Sequence, residues 1–386
     1  MKFTVNKNDL MKKLGPAMGN VSNKNNVPAI EGVHIVALES GKIQITTYDL
    51  DKGYRAYIEA VEIEECGSCI INAQRLHQTM RVMPDDDITF EIDERYNCTI
   101  FSGKSVFTMS ASRGEDFPNI PDFITERGFT ISAEILKKLL SKVTHSIAVS
   151  DNRPMLCGAF IKVNLEGIEV VSCDSYRLSK CNQICDITPL SVDGEVNYSF
   201  ILPGYAMGEI MKNLGEGEDD ILNFYLSRKH AILTKGDSTF FTRLIDSEYI
   251  NYNKLIPEDN DIIVRIDRER LLGSLERANI IAEEKIQGSG KSFVKLSIDG
   301  HYLDLSSLSV RGGFSDEMDV IHEGGPIEIA FNCRYLIDEI KAAEGESIVM
   351  RFKSANQAVT IEPTEDFDEF SFFYLILPVR MNEQNK

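Results

Sequence analysis

The chain has 386 residues, 43% of them hydrophobic and 26% charged, with a formal net charge of −19. These are ordinary values for a soluble globular protein of two to four domains, and no apolar run reaches the roughly 18 residues that a membrane helix needs. An acidic total argues against a nucleic-acid surface unless the charge is segregated.

The N-terminus, Met1-Lys2-Phe3-Thr4-Val5-Asn6-Lys7, turns polar at once and does not read as a secretory signal, so a cytosolic protein is expected. The eight cysteines follow no framework spacing and are expected to be reduced, mostly buried thiols.

Read in chain order, the pattern repeats three times. The first repeat opens on a strand at Phe3–Val5, an N-cap at Asn6 and a helix over 7–14. Cys69-Ile70-Ile71-Asn72 then leads into a helix over 72–83 with Leu76, Met80 and Met83 on one face. An acidic turn, Asp85-Asp86-Asp87, precedes strands at Ile88–Ile92 and Cys98–Phe101, and Thr99–Ser112 reads as a strand pair.

The second repeat opens at Phe129–Ile131, with Ser132 as cap and a helix over 132–146. Phe200-Ile201-Leu202-Pro203 leads into a helix over 204–214, then the acidic turn 216–220 and a strand pair over Ala231–Ile245. The third opens at Val264–Ile266, with Asp267 as cap and a helix over 267–285. Ile329-Ala330-Phe331-Asn332 leads into a helix over 333–343, the turn Glu344-Gly345-Glu346 and a strand pair over Ala358–Pro378. The fold class is therefore α+β, in three domains over 1–127, 128–254 and 255–386, each with two helices packed on β-sheet.

Charge is segregated along this pattern. The six predicted helices carry 15 Lys and Arg against 10 Asp and Glu, while the remainder holds 26 against 50. Helices lining one basic surface, with an acidic sheet elsewhere, would reconcile a low pI with affinity for a polyanion. On this ground Arg75, Arg81, Lys137, Lys138, Lys142 and Lys212 are candidate residues for a polyanion-facing surface.

Signals for catalysis are weak. Gly288-Ser289-Gly290-Lys291-Ser292 resembles a phosphate loop, but a helix precedes it and a strand follows, the reverse of the required order. Cys66-Gly67-Ser68-Cys69 and the Cys181/Cys185 pair could supply zinc thiolates, although they fall in different repeats. Asp85–Asp87 reads as a solvated turn, and no histidine has a nucleophile signature beside it. No catalytic residue, metal or cofactor is expected. A zinc or thiol enzyme and a scaffold that binds no DNA are the competing readings.

Four motifs carry a resemblance: Met1–Val5, Asp116-Phe117-Pro118-Asn119, Asp174-Ser175-Tyr176-Arg177-Leu178 and Leu377-Pro378-Val379-Arg380-Met381. In this order and spacing they are similar to the beta subunit of bacterial DNA polymerase III, the sliding-clamp family, from Met1 to Met381. The resemblance implies a DNA-clamp fold and a head-to-tail homodimer. Six units would form a ring, with twelve helices around a hole for duplex DNA. It also implies a non-catalytic processivity factor of the DNA-directed DNA polymerase III holoenzyme. Its partners would be the polymerase's catalytic subunit, the clamp loader, other polymerases and repair proteins, bound through linear peptide motifs.

By family position, the peptide pocket would use Arg153, Met155, Leu156, Cys173, Ser175, Tyr176, Arg177, Leu178, Ile250, Leu255, Leu375, Leu377, Pro378, Val379, Arg380 and Met381. The dimer contact would set Phe107 against Ile280 and Ile281, and DNA would meet Lys24 and the segment from Ser150 to Arg153. The chain departs from the family pattern at Cys173 and Ser175, where Thr and Gly are usual, at Pro154 and Met155, at Ile250, and in the added residues Asn382–Lys386.

Overall fold

A computed structural model of the chain describes residues 1–22, 28–84, 86–120, 123, 126–191, 193–214, 220–282, 293–309, 312–365 and 367–381. Lys24, Asp85, the acidic run 216–219, the Gly288–Ser292 motif and the extension Asn382–Lys386 lie outside these residues.

Among the described residues there are six α-helices, each where the sequence pattern places one: α1 (Lys7–Ala17), α2 (Ala73–Val82), α3 (Ala133–Val143), α4 (Gly204–Asn213), α5 (Arg268–Ala282) and α6 (Cys333–Ala342). Side-chain caps start several of them. Asn6 accepts from the Asn8 amide, Asn72 from Arg75, and Asn332 from Tyr335. Asp267 accepts from the Arg270 amide at 2.7 Å.

The helices bury the stripe that their spacing predicts. On α2 this is Ala73, Leu76 and Met80, and on α6 Cys333, Leu336 and Ile340. Each fully buried Leu or Met stabilises by about 1.5–3 kcal/mol relative to an exposed one. α1 runs three residues beyond its expected end, through Pro16. Because the helix stops one residue later, the missing Pro16 amide forfeits only a last-turn hydrogen bond. α3 ends sooner than expected and passes into a 3₁₀ turn at Thr144–Ser146.

The three repeats are joined into two compact units. One holds Met1–Glu134, Ile187–Val196 and Tyr205–Leu244; the other holds Ile135–Asp186, Asn197–Gly204 and Ile245–Lys386. Sheet pairing is the reason. In the first unit, Lys52–Glu59 of the first repeat pairs antiparallel with Ser238–Arg243 of the second, with Gly53 opposite Phe241. This joins their strands into a fourteen-stranded sheet. In the second unit, Arg177–Ile184 of the second repeat pairs with Phe370–Ile376 of the third, with Leu178 opposite Leu375, in a nine-stranded sheet. A four-stranded sheet, Gly313–Asp319, Tyr302–Leu308, Val294–Asp299 and Ile327–Phe331, completes that unit. The middle repeat thus gives half of its strands to each neighbour.

Candidate functional site

The Asp174–Leu178 motif is a tight turn between strands Gly167–Cys173 and Arg177–Ile184. The Asp174 carboxylate closes it by accepting from the Tyr176 and Arg177 amides, both at 3.0 Å. Ser175 takes the left-handed conformation, with φ +79°. For a serine this costs about 1 kcal/mol.

Arg177 is 7% exposed and fully engaged. Its Nε donates to Asp174 at 3.0 Å and its Nη1 to Asp338 of α6 at 2.8 Å. Its Nη2 donates to the His145 carbonyl, and the guanidinium stacks 4.3 Å from the Tyr335 ring. Burial works against the charge, but Asp338, Glu339 and Asp174 outweigh it and raise the pKa above the ordinary guanidinium value.

Beside this turn lies one apolar cluster. Leu156, Val171, Cys173, Leu178, Tyr252 and Leu375 are buried in it, with Met155, Ile250, Phe160 and Tyr249 packed against it. Tyr249 stacks on Phe160 with ring centroids 5.0 Å apart. Arg153 stands at the edge, where Nε and Nη2 bind the two Asp151 oxygens at 2.9 Å and Nη2 also reaches Ser175 Oγ at 2.5 Å. Those hydrogen bonds hold the Asp151 carboxyl down at about 2. On the far side the Leu377 amide donates to the Tyr176 carbonyl at 2.8 Å and the Val379 amide to Ala330 at 2.7 Å. Tyr176, Leu377 and Leu255 are exposed apolar residues, and Pro378, Arg380 and Met381 continue the terminal segment.

The structure therefore gathers Met155, Leu156, Cys173, Leu178, Ile250 and Leu375 in one cluster and puts Arg153, Ser175, Tyr176 and Arg177 at its edge. Reading the sequence missed Val171, Phe160, Tyr249 and Tyr252. Val171 was recoverable, because it sits two residues before Cys173 and so on the same strand face. Phe160 follows only from its register opposite Val171.

The same turn occurs in the first repeat. Asp49 accepts from the Asp51 and Lys52 amides at 3.0 and 2.8 Å, Leu50 has φ +82°, and Lys52 Nζ donates to the Gly19 carbonyl. What differs is the filling. Tyr48 stands where the second turn has Cys173, and Gly53 where it has Leu178. A Cβ on Gly53 would lie 2.3 Å from the Phe241 ring. Tyr48 and Phe123 pack on Phe241 at 5.6 and 4.9 Å, and Phe117 joins the cluster. Tyr48 and Phe241 fill the first turn, where the second has Cys173 beside Leu178 and Leu375.

The basic helix residues divide into two groups. Arg75 and Arg81 of α2 are exposed, Lys137 is half-exposed, and Lys212 is exposed beside Glu209 at 3.0 Å. Lys138 and Lys142 do not stand free, because Glu344 binds them at 3.2 and 2.9 Å. Ser150 is exposed, next to the tethered Arg153. Phe107, on strand Ser105–Arg113, is 38% exposed, Ile280 on α5 is 73% exposed, and Ile281 is half-buried.

The cysteines are not arranged for metal. Among the described residues no group of three or more His, Cys, Asp or Glu could hold an ion. Burial pushes the Cys69, Cys98 and Cys181 thiols up to about 12, so the protonated form persists. At pH 8, iodoacetamide is expected to alkylate exposed Cys66 in the native protein and to spare Cys69, Cys98 and Cys181 until unfolding. Peptide mass spectrometry checks this, and native labelling of those three would contradict their burial. Among the described residues no helix is long and apolar enough to cross a membrane.

Repeated two-helix β units, sheets continuous from repeat to repeat, and an apolar cluster beside a buried arginine at one repeat junction define a clamp-type binding protein. The comparisons agree. The family models for the N-terminal, central and C-terminal domains of the DNA polymerase III beta subunit match residues 1–121, 130–251 and 253–380. The beta sliding clamp of Bacillus subtilis strain 168 is 26% identical over 390 residues, covering 98% of this chain and 100% of that one. The B. subtilis clamp structure superposes with a TM-score of 0.89 at 25% identity, covering 99% of this chain and 100% of that chain. A sliding clamp from Bartonella birtlesii bound to griselimycin gives 0.88 at 27% identity, with the same coverage. The chain belongs to the DNA polymerase III beta subunit family, whose members are sliding clamps, non-catalytic processivity factors in DNA replication.

Proposed function

We propose that two copies of this chain close head to tail into a ring of six repeats around duplex DNA, and that the Cys173–Leu178 cleft tethers the polymerase. The observation that carries this is a pair of leftover strand edges. Strand Lys52–Glu59 corresponds to Arg177–Ile184 and to Gly313–Asp319 in the three repeats. Strand Ser105–Arg113 corresponds likewise to Ser238–Arg243 and Phe370–Ile376. Four of these six strands pair with each other at the two junctions within the chain. Ser105–Arg113 and Gly313–Asp319 are left over, and among the described residues neither pairs with a strand of another repeat.

A third junction of the same kind, between chains, would satisfy both edges. Charge favours that heterologous pairing. Gly313–Asp319 carries Glu317 and Asp319 beside Asp316, which Arg270 and Arg277 bind, and two copies side by side would set acid against acid. Ser105–Arg113 carries Arg113 and no acid. Phe107 on that strand, with Ile280 and Ile281 on α5, would supply the apolar contact.

In this reading the repeats are the domains 1–127, 128–254 and 255–386. Arg75, Arg81, Lys137 and Lys212, with Lys24 and the Ser150–Arg153 loop, meet the phosphate backbone. Such contacts are sequence-independent and let the ring slide. Lys138 and Lys142, which share the Glu344 carboxylate, and Lys212, paired with Glu209, contribute less than the others. The cleft takes short peptides with hydrophobic anchors from the polymerase catalytic subunit, the clamp loader, other polymerases and repair proteins, and griselimycin binds the same place. The protein works in the cytoplasm, at the nucleoid, inside a nucleotidyltransferase assembly to which it adds no chemistry.

The test is topological. After loading by a clamp loader, the protein should stay with nicked circular plasmid through gel filtration and be lost when the plasmid is linearised. Retention that survives linearisation would mean ordinary binding. No retention on either form would favour a scaffold that does not use DNA.

A further inference from the structure

The two turns repeat each other closely enough that the chain supplies its own control. Matching α4 to α6 from their first residues sets Ile210 against Glu339 and Glu209 against Asp338. Matching the 3₁₀ turns Met18–Asn20 and Thr144–Ser146 sets Gly19 against His145. The match is internally consistent, because the Gly19 carbonyl accepts from Lys52 as the His145 carbonyl accepts from Arg177.

At the first turn buried Ile210 stands where the second has Glu339, and Gly19 stands where it has His145, with the Glu209 carboxylate lying in the space a Gly19 side chain would take. At the second, Glu339 is 0% exposed. His145 Nε2 lies 2.9 Å from its Oε2, Ser146 Oγ donates to Oε1 at 3.1 Å, and Ser179 Oγ donates to Oε2 at 3.3 Å. A carboxyl group shut away from water is costly even when hydrogen-bonded. Ile210 shows that this helix position packs well without one, so filling space does not account for Glu339.

The neighbours of the pair suggest its use. α6 touches the Arg177 guanidinium through Asp338 and through the face of Tyr335. The acceptor for Arg177 Nη2 is the carbonyl of His145, whose ring is bound to Glu339 on the same helix. We infer that Glu339 and His145 are positioning residues for Arg177. Glu339 grips the imidazole, which fixes the His145 carbonyl relative to Asp338 and Tyr335. The orientation of the arginine at the cleft edge is therefore set from α6. This rests on reading the cleft as the partner site, and the test separates the two.

Griselimycin affinity is measured by calorimetry for the dimeric wild type, E339Q, E339I, R177A and E339Q/R177A. Loss of the buried carboxyl acceptor should weaken binding by about tenfold in E339Q. E339I, which copies α4, should fold and dimerise but bind as weakly. In the R177A background E339Q should have no further effect, an outcome that general destabilisation would not produce. The Arg177 Nε–H proton resonance gives a readout that needs no ligand, and it should shift and exchange faster in E339Q. If wild type binds no griselimycin, the cleft reading fails and the resonance alone judges the pair. Unchanged affinity and an unchanged Arg177 resonance in folded E339Q would overturn the inference.

Discussion

Phe107→Asp is expected to leave a folded monomer that no longer stays on nicked circular DNA. Phe107 is 38% exposed on strand Ser105–Arg113, so its own repeat loses little when the ring is removed. An aromatic anchor at the centre of an interface typically accounts for about 2–4 kcal/mol, or roughly 30- to 1000-fold in the dimer constant. The aspartate adds repulsion, because the strand proposed to lie beside it carries Asp316, Glu317 and Asp319. Sedimentation velocity at micromolar concentration reads the first consequence, and plasmid retention the second. Ile280→Asp should behave alike, since Ile280 is 73% exposed and α5 lies in the same repeat as the acidic strand. A dimer that survives both changes would remove these edges from the interface.

Much of this architecture was legible in the sequence, for a physical reason. Helix spacing, Asn and Asp caps and β-branched runs are local signals, so six helices and the main hairpins could be placed from them. Pairing across repeats is not local. Nothing near Tyr54 announces that its strand lies against Phe240, and the division into two compact units followed from that unread register.

The charge reading was incomplete in detail. Glu339 was counted as one more helical acid, yet it is buried, and Lys138 and Lys142 were counted as available although Glu344 holds both. A linear count cannot tell a solvated charge from a paired one. The cleft was reached through motifs. Its aromatic members, Tyr249 and Tyr252, lie in the connection between repeats, where no periodicity marks them.

The contrast between the two turns leads to the second large effect. Cys173→Tyr places at the second turn the residue that fills the first, and it should abolish griselimycin and polymerase binding while the ring still forms and slides. Cys173 is 5% exposed and Tyr48 8%, so both positions face the interior of their clusters. At the first turn, space for Tyr48 comes with Gly53, whose missing side chain admits Phe241. At the second, Leu178 and Leu375 remain, so the new ring must turn outward into the volume that a ligand's anchor would fill. Overpacking of this kind costs about 1–3 kcal/mol, which a clamp of this size should tolerate. The binding loss should exceed 100-fold, since a filled pocket removes the anchor's burial outright. Calorimetry with griselimycin, beside plasmid retention of the same preparation, separates the two functions. Binding within a few-fold of wild type would show that the ligand's anchor does not sit against Cys173. Retention should be largely unaffected, because Cys173 lies on neither leftover strand and, of the residues proposed to meet DNA, Arg153 is the one that interacts with it.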